Sequence, residues 1–103
     1  MYIVIFITCA NKKEGALIAK ALLQKKLVAC VNIVDKINSF FWWQGKIDSA
    51  KEVLLVAKSK KTKFRKIAQL VKEKHSYKVP EIIALPIVSG SRAYLEWIDG
   101  SLG

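Results

Sequence analysis

The sequence predicts a single α+β domain, residues 1–103, with the element order βαββαβ and one short helix at the end. Apolar runs rich in β-branched and aromatic residues mark four strands. Segments with apolar residues three and four positions apart mark two helices between them. A chain of 103 residues has room for one core, and 52% apolar residues exclude an intrinsically disordered binder.

The first strand and helix are the clearest elements. Tyr2–Thr8 (YIVIFIT) lacks polar alternation, which is typical of a strand covered on both faces. Asn11 can cap the following helix, with Glu14 at the third helical position as in a capping box. We expect this helix to end near Lys26. Its apolar stripe consists of Ile18, Ala19, Leu22 and Leu23.

A long hairpin is predicted in the middle of the chain. Its first strand starts near Leu27, is interrupted around residues 35–38 and resumes in Ser39–Trp43. Gln44–Gly45 then forms a turn. Lys46–Lys60 is the return strand, because its second half carries an apolar run.

Thr62 should cap a second helix that stops before Pro80. The final strand, Ile82–Val88, contains Pro86, which has no N–H for a sheet ladder and therefore predicts an edge strand. Arg92–Ile98 forms a short helix. With right-handed crossovers, this order gives the ferredoxin-like fold, an antiparallel sheet with two helices on one face. The apolar face of the second helix consists of Phe64, Ile67, Ala68 and Val71.

The other face of the sheet has no helices to cover it, although several strands are apolar on both sides. Leaving such side chains in water forgoes about 1.5 to 3 kcal/mol each. We therefore expect self-association, with a hairpin tip folded back over its own domain as the alternative. The sharpest case is the run of Phe40, Phe41, Trp42 and Trp43, since neighbouring side chains on a strand point in opposite directions.

Five segments occur in the order and approximate spacing of the CutA family, the divalent-cation tolerance proteins: LVACVNI, FFWWQGKI, EVLLVAK, HSYKVPEI and YLEWI. The chain resembles this family over nearly its whole length. The resemblance implies a homotrimer with sheets packed around the threefold axis, and a role in tolerance of copper and other divalent metals. It also implies that certain residues gather at clefts between subunits: Trp43, Lys46, Lys58, Tyr77, Pro80, Glu81, Tyr94 and Trp97.

The resemblance further implies that some members bind copper through a cysteine near the end of the first strand and two adjacent histidines after the second helix. Only the second histidine has a counterpart here, His75, because Ile7 and Lys74 hold the other positions. Cys9 and Cys30 are the other candidate ligands. The alternatives are a helix-terminal cation for His75 and a small packed side chain for Cys30. We expect copper or another divalent cation to bind weakly, and no cofactor to be required for folding.

The net charge of +10 is distributed unevenly. The segment from Lys58 to Lys78 contains nine basic residues and only one acidic residue, Glu73. This basic second helix suggests a nucleic-acid binder, but no RNP-type aromatic motif or glycine-rich phosphate loop accompanies it, so a solvated helix face is favoured. A PII-like trimeric sensor of a small anionic ligand remains a second alternative.

Other classes of function are disfavoured. One histidine, no nucleophile beside a base and no paired carboxylates argue against an enzyme. Two cysteines are too few for a disulfide-stapled secreted scaffold. The apolar start has no basic segment before it and is too short to span a membrane. The sequence therefore predicts a cytoplasmic protein without a membrane partner.

Overall fold

The computed structural model describes residues 1–103 and confirms the predicted βαββαβ order. The sheet is antiparallel, with the strand order β2-β3-β1-β4. None of the α-helices combines the length and the apolar composition that a bilayer-spanning helix requires. The elements are β1 (Tyr2–Cys9), α1 (Lys12–Gln24), β2 (Cys30–Trp43), β3 (Lys46–Lys60), α2 (Phe64–Lys74), β4 (Ile82–Pro86) and α3 (Arg92–Leu102).

The predicted position of the last strand is confirmed. β4 pairs only with β1 and forms an edge of the sheet. Pro86, opposite Ile3, is its last paired residue. The strand ends there, two residues before the expected end at Val88, although the Ile87 N–H still donates to the Tyr2 carbonyl oxygen of β1 at 3.0 Å. An edge position tolerates the missing N–H of Pro86.

The cap of α1 by Asn11 is confirmed, whereas the returning hydrogen bond of Glu14 goes to the residue before the cap rather than to the Asn11 N–H of a capping box. The Glu14 N–H donates to Asn11 Oδ1 at 2.8 Å, and Glu14 Oε1 accepts from the Ala10 N–H at 3.0 Å. α1 ends at Gln24, two residues before the expected position. Lys26 adopts a left-handed conformation, φ 54°, which stops the helix.

β2 differs from the prediction in two ways. It is not interrupted around residues 35–38 but continues through a bulge, where the register shifts between Val34 and Ile37. Lys36 has φ 59° at this point. β2 also begins at Cys30 rather than Leu27: residues 27–29 are buried as core, and the Ala29 N–H donates to the Lys58 carbonyl oxygen of β3 at 2.8 Å just before the strand starts.

The predicted cap at Thr62 is wrong. Thr62 lies inside a 3₁₀ turn, Lys61–Lys63, that leads directly into α2, and no side chain caps α2. Burial of Ile67, Leu70 and Val71 against the sheet holds the helix instead.

α3 extends to Leu102, four residues beyond the expected end. Ser91 Oγ caps it by accepting the Tyr94 N–H at 3.3 Å. Ile98 and Leu102, one turn apart, pack with Ala29 and extend the helix by burial. The outcome is a third full helix.

The main core lies between the sheet and the helices α1 and α2, which confirms two helices on one face. β1 alternates strictly, and its buried side chains are Ile3, Ile5, Ile7 and Cys9. Leu55 of β3 completes the centre of this core. The helix α3 packs at one end of the opposite face, beside Tyr2.

The rest of that opposite face, here called the open face, carries no helix. Residues 37–52 of the β2–β3 hairpin, here called the arm, extend beyond the end of β1, whose last pair is Cys9 with Val53. The arm does not fold back over its own domain, so that alternative is wrong. Its four aromatic side chains are exposed in the single chain: Phe40 75%, Phe41 39%, Trp42 73% and Trp43 60%.

Candidate functional site

Cys9, Glu14 and His75 form the only group of potential metal ligands in the chain. Cys9 ends β1, Glu14 lies in the first turn of α1, and His75 directly follows α2. Their ligand atoms all lie within 4.8 Å of one another. The structure thus brings together two of the predicted ligands, Cys9 and His75, and adds Glu14.

The His75 ring is fully enclosed and hydrogen-bonded at both nitrogens. Nδ1 lies 3.0 Å from the Tyr77 backbone nitrogen, and Nε2 lies 2.7 Å from the Thr8 carbonyl oxygen. Because an N–H can donate only to a lone pair, Nδ1 accepts and Nε2 carries the proton that it donates to Thr8. His75 therefore ties the end of α2 to the end of β1, and it has no free lone pair.

Glu14 closes the same junction from the side of α1. Its Oε2 accepts the Ser76 N–H at 3.0 Å, and its Oε1 lies 3.7 Å from His75 Nδ1. Burial tends to raise the pKa of Glu14, but hydrogen bonds from Ser76 and Ala10 and the nearby His75 outweigh it and lower that pKa. Glu14 is therefore the charged member of the cluster.

The Cys9 thiol is protonated at neutral pH. Burial raises its pKa to about 12, and the negative charges of Glu14 and Glu52 act in the same direction. Metal ligation requires the thiolate. A cation at Cys9 would therefore have to displace a proton.

The three donors are of the types that a borderline metal accepts. However, Cys9 is protonated and both His75 nitrogens are already hydrogen-bonded. Sulfur, imidazole nitrogen and carboxylate oxygen are the donors that copper and zinc accept. Binding would nevertheless cost the Cys9 proton and one of the two hydrogen bonds of His75. The residues present fit a weakly held ion rather than a preformed metal centre.

The remaining family positions lie outside the cluster. Cys30 is at the start of β2, with its Sγ 3.5 Å from the Tyr94 hydroxyl oxygen. Ile7 is fully buried in the main core, and Lys74 is exposed at the end of α2. Neither the replaced cysteine position nor the replaced histidine position can supply a ligand.

Three of the predicted cleft residues line one groove, here called the arm groove, between the arm and the segment 77–81 before β4. They are Trp43, Tyr77 and Glu81, and the groove has a volume of about 890 Å³. Pro80 directly precedes Glu81, and Lys46 pairs with Trp43 at the turn end of the arm.

The other predicted cleft residues lie near α3. Tyr94 and Trp97 stack with their ring centroids 5.4 Å apart. Lys58, in register with Cys30, donates to Asn32 Oδ1. Within one chain, the eight predicted residues therefore form two separate groups rather than one cleft.

Glu52 is a site residue that the sequence analysis did not identify. It is only 8% exposed, and its Oε2 accepts the Tyr77 hydroxyl proton at 2.7 Å. Burial raises the pKa of Tyr77 well above its usual value, and the Glu52 carboxylate raises it further. The available signal was a charged residue sharing a strand face with the apolar Leu54 and Val56. For Glu14, the available sequence signal was its position three residues after the cap residue Asn11.

The positive charge is concentrated on the two helices of the covered face. Residues 12–26 and 61–74, here called the helical layer, contain eleven basic and two acidic residues, which leaves +9 of the formal +10. Lys60 with Asp99 is the only ion pair of a lysine or arginine in the chain. The basic side chains of the helical layer consequently have no carboxylate partners.

Comparison with known proteins gives a consistent result. The profile of a family described as CutA1 divalent ion tolerance protein matches residues 3–101. The divalent-cation tolerance protein CutA of Archaeoglobus fulgidus is 48% identical over 99 residues, covering 96% of both chains. The chloroplastic CutA 1 of Oryza sativa is 43% identical over 99 residues, which cover 96% of this chain but only 56% of that protein.

Two solved structures share the fold over their full length. The structure described as the periplasmic divalent cation tolerance protein CutA from Archaeoglobus fulgidus has a TM-score of 0.97 at 46% identity. That of the divalent cation tolerance protein Cut A1 from Thermus thermophilus has a TM-score of 0.97 at 43% identity. Each comparison covers 100% of both chains.

Proposed function

Because this chain belongs to the CutA1 family of divalent ion tolerance proteins, we propose that it is a homotrimer that binds copper or another divalent cation weakly and contributes to metal tolerance. The observation that carries the proposal is the cluster of Cys9, Glu14 and His75, whose ligand atoms lie within 4.8 Å of one another. No catalytic role is proposed.

Weak binding follows from the state of the three donors. A cation at this cluster would have Glu14 as its charged ligand, with His75 and Cys9 available after a hydrogen bond and a proton are given up. Once bound, it would join β1, α1 and the end of α2 more firmly. Metal binding at this cluster would therefore increase the stability of the folded chain.

Trimeric assembly is supported by the open face. Apolar side chains of β2 and β4 are still about two-fifths to one-half exposed on it, as are the aromatics of the arm. Apolar patches of this kind usually mark association surfaces. Assembly would also bring the arm groove of one chain near other chains, so that Lys58, Tyr94 and Trp97 could join Trp43, Tyr77 and Glu81 in clefts between subunits.

The metal proposal is tested by calorimetric titration of the native protein with Cu²⁺ and Zn²⁺, beside Cys9→Ser and Glu14→Gln. Cys30→Ser is the matched control, since Cys30 lies outside the cluster. We expect weak binding that both cluster variants reduce and the control leaves unchanged. Cd²⁺ should give a thiolate charge-transfer absorption that Cys9→Ser abolishes.

Equal binding by the native protein, Cys9→Ser and Glu14→Gln would dismiss the cluster as the metal site. Loss of binding in Cys30→Ser alone would move the site to the region of Tyr94.

A nucleic-acid interface is the second candidate function, and the charge of the helical layer favours it. Eleven basic residues without carboxylate partners would contact a phosphate backbone with steep salt dependence. Filter binding at low salt, with Lys63, Arg65 and Lys66 neutralised together, tests it. Absence of binding to DNA and RNA at low salt would exclude this candidate.

A further inference from the structure

We infer that the helical layer binds double-stranded DNA through the phosphate backbone alone, without reading the base sequence. This binding mode rests on the nucleic-acid candidate proposed above and adds to it the class of nucleic acid and the way it is held. The charge of the helical layer, the side chains that it lacks and its width each point to this ligand.

The helical layer is positively charged from end to end. Its two helices run in opposite directions, because each follows one of the antiparallel strands β1 and β3. The Ser76 N–H donates to Glu14 at 3.0 Å, which places the end of α2 beside the start of α1. At the other end, the Ser59 hydroxyl donates to the Leu27 carbonyl oxygen at 2.6 Å. The first end carries Lys12, Lys13, Lys72 and Lys74, and the second carries Lys25, Lys26 and the basic residues at the start of α2.

The basic residues at the start of α2 do not stabilise the helix. They are Lys61 and Lys63 in the 3₁₀ turn and Arg65 and Lys66 in the first helical turn. No acidic residue lies in that turn, and no side chain caps α2. Because positive charge near a helix N-terminus opposes the helix dipole, these residues weaken the helix that carries them. A bound polyanion would relieve this repulsion.

The side chains of the helical layer suit phosphates better than bases. Phe64 is its only aromatic residue and packs against the main core, whereas proteins that bind single strands stack bases on exposed aromatic rings. Arg65 is its only arginine, so ten of its eleven basic residues are lysines. The lysine ammonium group is a point charge without the fork geometry of arginine. This composition favours contacts to the backbone of a duplex.

The width of the helical layer also favours backbone contacts. α1 and α2 pack against each other on the sheet. Since packed helix axes lie about 8–10 Å apart and a helix is about 10–12 Å across, the layer is about 20 Å wide. The major groove of about 12 Å cannot admit it. α1 has 13 residues and is about 20 Å long, a distance over which a duplex carries about 12 phosphate charges.

An anionic membrane fits the helical layer less well. Leu17 and Leu23 are exposed among its lysines. However, a helix that lies in a bilayer interface buries a continuous apolar face in the lipid, and the apolar face of α1, with Ile18 and Leu22, is already buried in the main core. Assembly through the open face would leave the helical layer on the outside, because the helices lie on the opposite side of the sheet.

Fluorescence anisotropy over a range of salt concentrations tests the inference with the assembled native protein. The ligands are two labelled DNA duplexes of unrelated sequence and their separate single strands. We expect equal affinity for the two duplexes and weaker binding of the single strands. The variant with both Arg65→Gln and Lys66→Gln should reduce the slope of log affinity against log salt by about 0.9 for each lost phosphate contact. It should not lower the melting temperature, since both charges oppose the helix dipole.

The matched control combines Lys36→Gln with Lys51→Gln. It removes the same charge from two exposed residues outside the helical layer and should leave the salt slope unchanged. Cys9→Ser should bind DNA like the native protein, which separates this interface from the metal-binding function. Phosphatidylglycerol vesicles, tested by co-sedimentation, distinguish DNA from a membrane.

The contradicting results are distinct. No binding of any nucleic acid at low salt would exclude both the nucleic-acid candidate and this inference. Three results would overturn the inference but leave that candidate standing: single strands bound as tightly as duplexes, a preference for one duplex sequence, or a native salt slope in the folded Arg65→Gln and Lys66→Gln variant. Binding to the vesicles without binding to DNA would assign the helical layer to an anionic membrane instead.

Discussion

The two faces of the same sheet are completed in different ways. On the covered face, Ile3, Ile5 and Ile7 of β1 are at most 3% exposed beneath α1 and α2. On the open face, Val4 and Phe6 of the same strand remain half-buried, and the surface continues into the exposed aromatics of the arm. One strand thus contributes to one core that is finished within the chain and to a second that is not.

This difference teaches where the stability of the molecule resides. The covered face should resist unfolding independently of protein concentration, since its contacts are all within one chain. The open face should contribute only when another copy covers it, and its contribution should then depend on concentration. The helical layer, with +9 of the net charge, faces away from such contacts.

The largest expected effect separates the two faces directly. Leu55→Ala removes a fully buried side chain from the covered face and should lower the free energy of unfolding by about 2 to 5 kcal/mol. Ile47→Ala, at a residue 69% exposed on the arm, is the matched substitution. It should change the stability of the chain itself by less than about 0.5 kcal/mol but weaken assembly.

Denaturant unfolding followed by circular dichroism at two protein concentrations measures both variants. A concentration-independent loss for Ile47→Ala as large as that for Leu55→Ala would show that the arm is packed within its own chain.

His75→Ala should have the next largest effect. It leaves the Thr8 carbonyl and the Tyr77 N–H without partners at the junction of β1 and α2 and should cost about 1 to 3 kcal/mol of unfolding free energy. The exposed neighbour Lys74→Ala is the control and should be nearly neutral. Equal melting temperatures for the two variants would contradict the structural role assigned to His75.

Asn11→Ala should have a smaller effect, about 1 kcal/mol, because it removes the cap of α1. Asn11→Asp keeps an oxygen acceptor at the same position and should retain most of the stability. The comparison is made by thermal unfolding. A loss in Asn11→Asp equal to that in Asn11→Ala would show that the cap hydrogen bond is not responsible.

The smallest predicted effect is a pH dependence where α3 meets the sheet. Asp99 accepts from Lys60 and from the Tyr2 hydroxyl, and these hydrogen bonds, with Lys60 first, lower its pKa below the usual 3.8. A carboxyl with a lower pKa in the folded chain stabilises the fold above its unfolded pKa. That stabilisation is lost as pH falls through the folded value.

Native protein should therefore lose stability more steeply than Asp99→Asn as the pH falls below 3.8. Thermal unfolding across this acid range measures the difference, which should be small because Asp99 is partly exposed. Parallel curves for the two proteins would contradict this role of Asp99.

Local patterns predicted much of this fold from the sequence. The hydrogen bond of the Asn11 cap to Glu14 depends only on residues three apart, and Pro86 indicated the edge strand through its missing N–H. The bulge after Val34 depends on pairing with β3, and the expected cap at Thr62 was replaced by burial of α2 against the sheet. These features depend on contacts that local sequence does not specify.

The candidate site was only partly predictable for the same reason. The choice of His75 came from a family resemblance and that of Cys9 from its ligand type on the same strand face as Ile7, whereas Glu14 joined them only through the meeting of β1, α1 and α2. The hydrogen bond of His75 to Thr8 spans 67 residues. The strand pattern marks Glu52 as a charged residue on an apolar face, but its hydrogen bond to Tyr77, 25 residues away, depends on the fold.

Sedimentation equilibrium of the native protein over a wide dilution range tests the central claim, that the open face is completed by identical copies. We expect a mass three times that of the 11.6 kDa chain. We also expect dilution to expose the tryptophans of the arm as the assembly dissociates. A folded 11.6 kDa particle at all concentrations would contradict the claim.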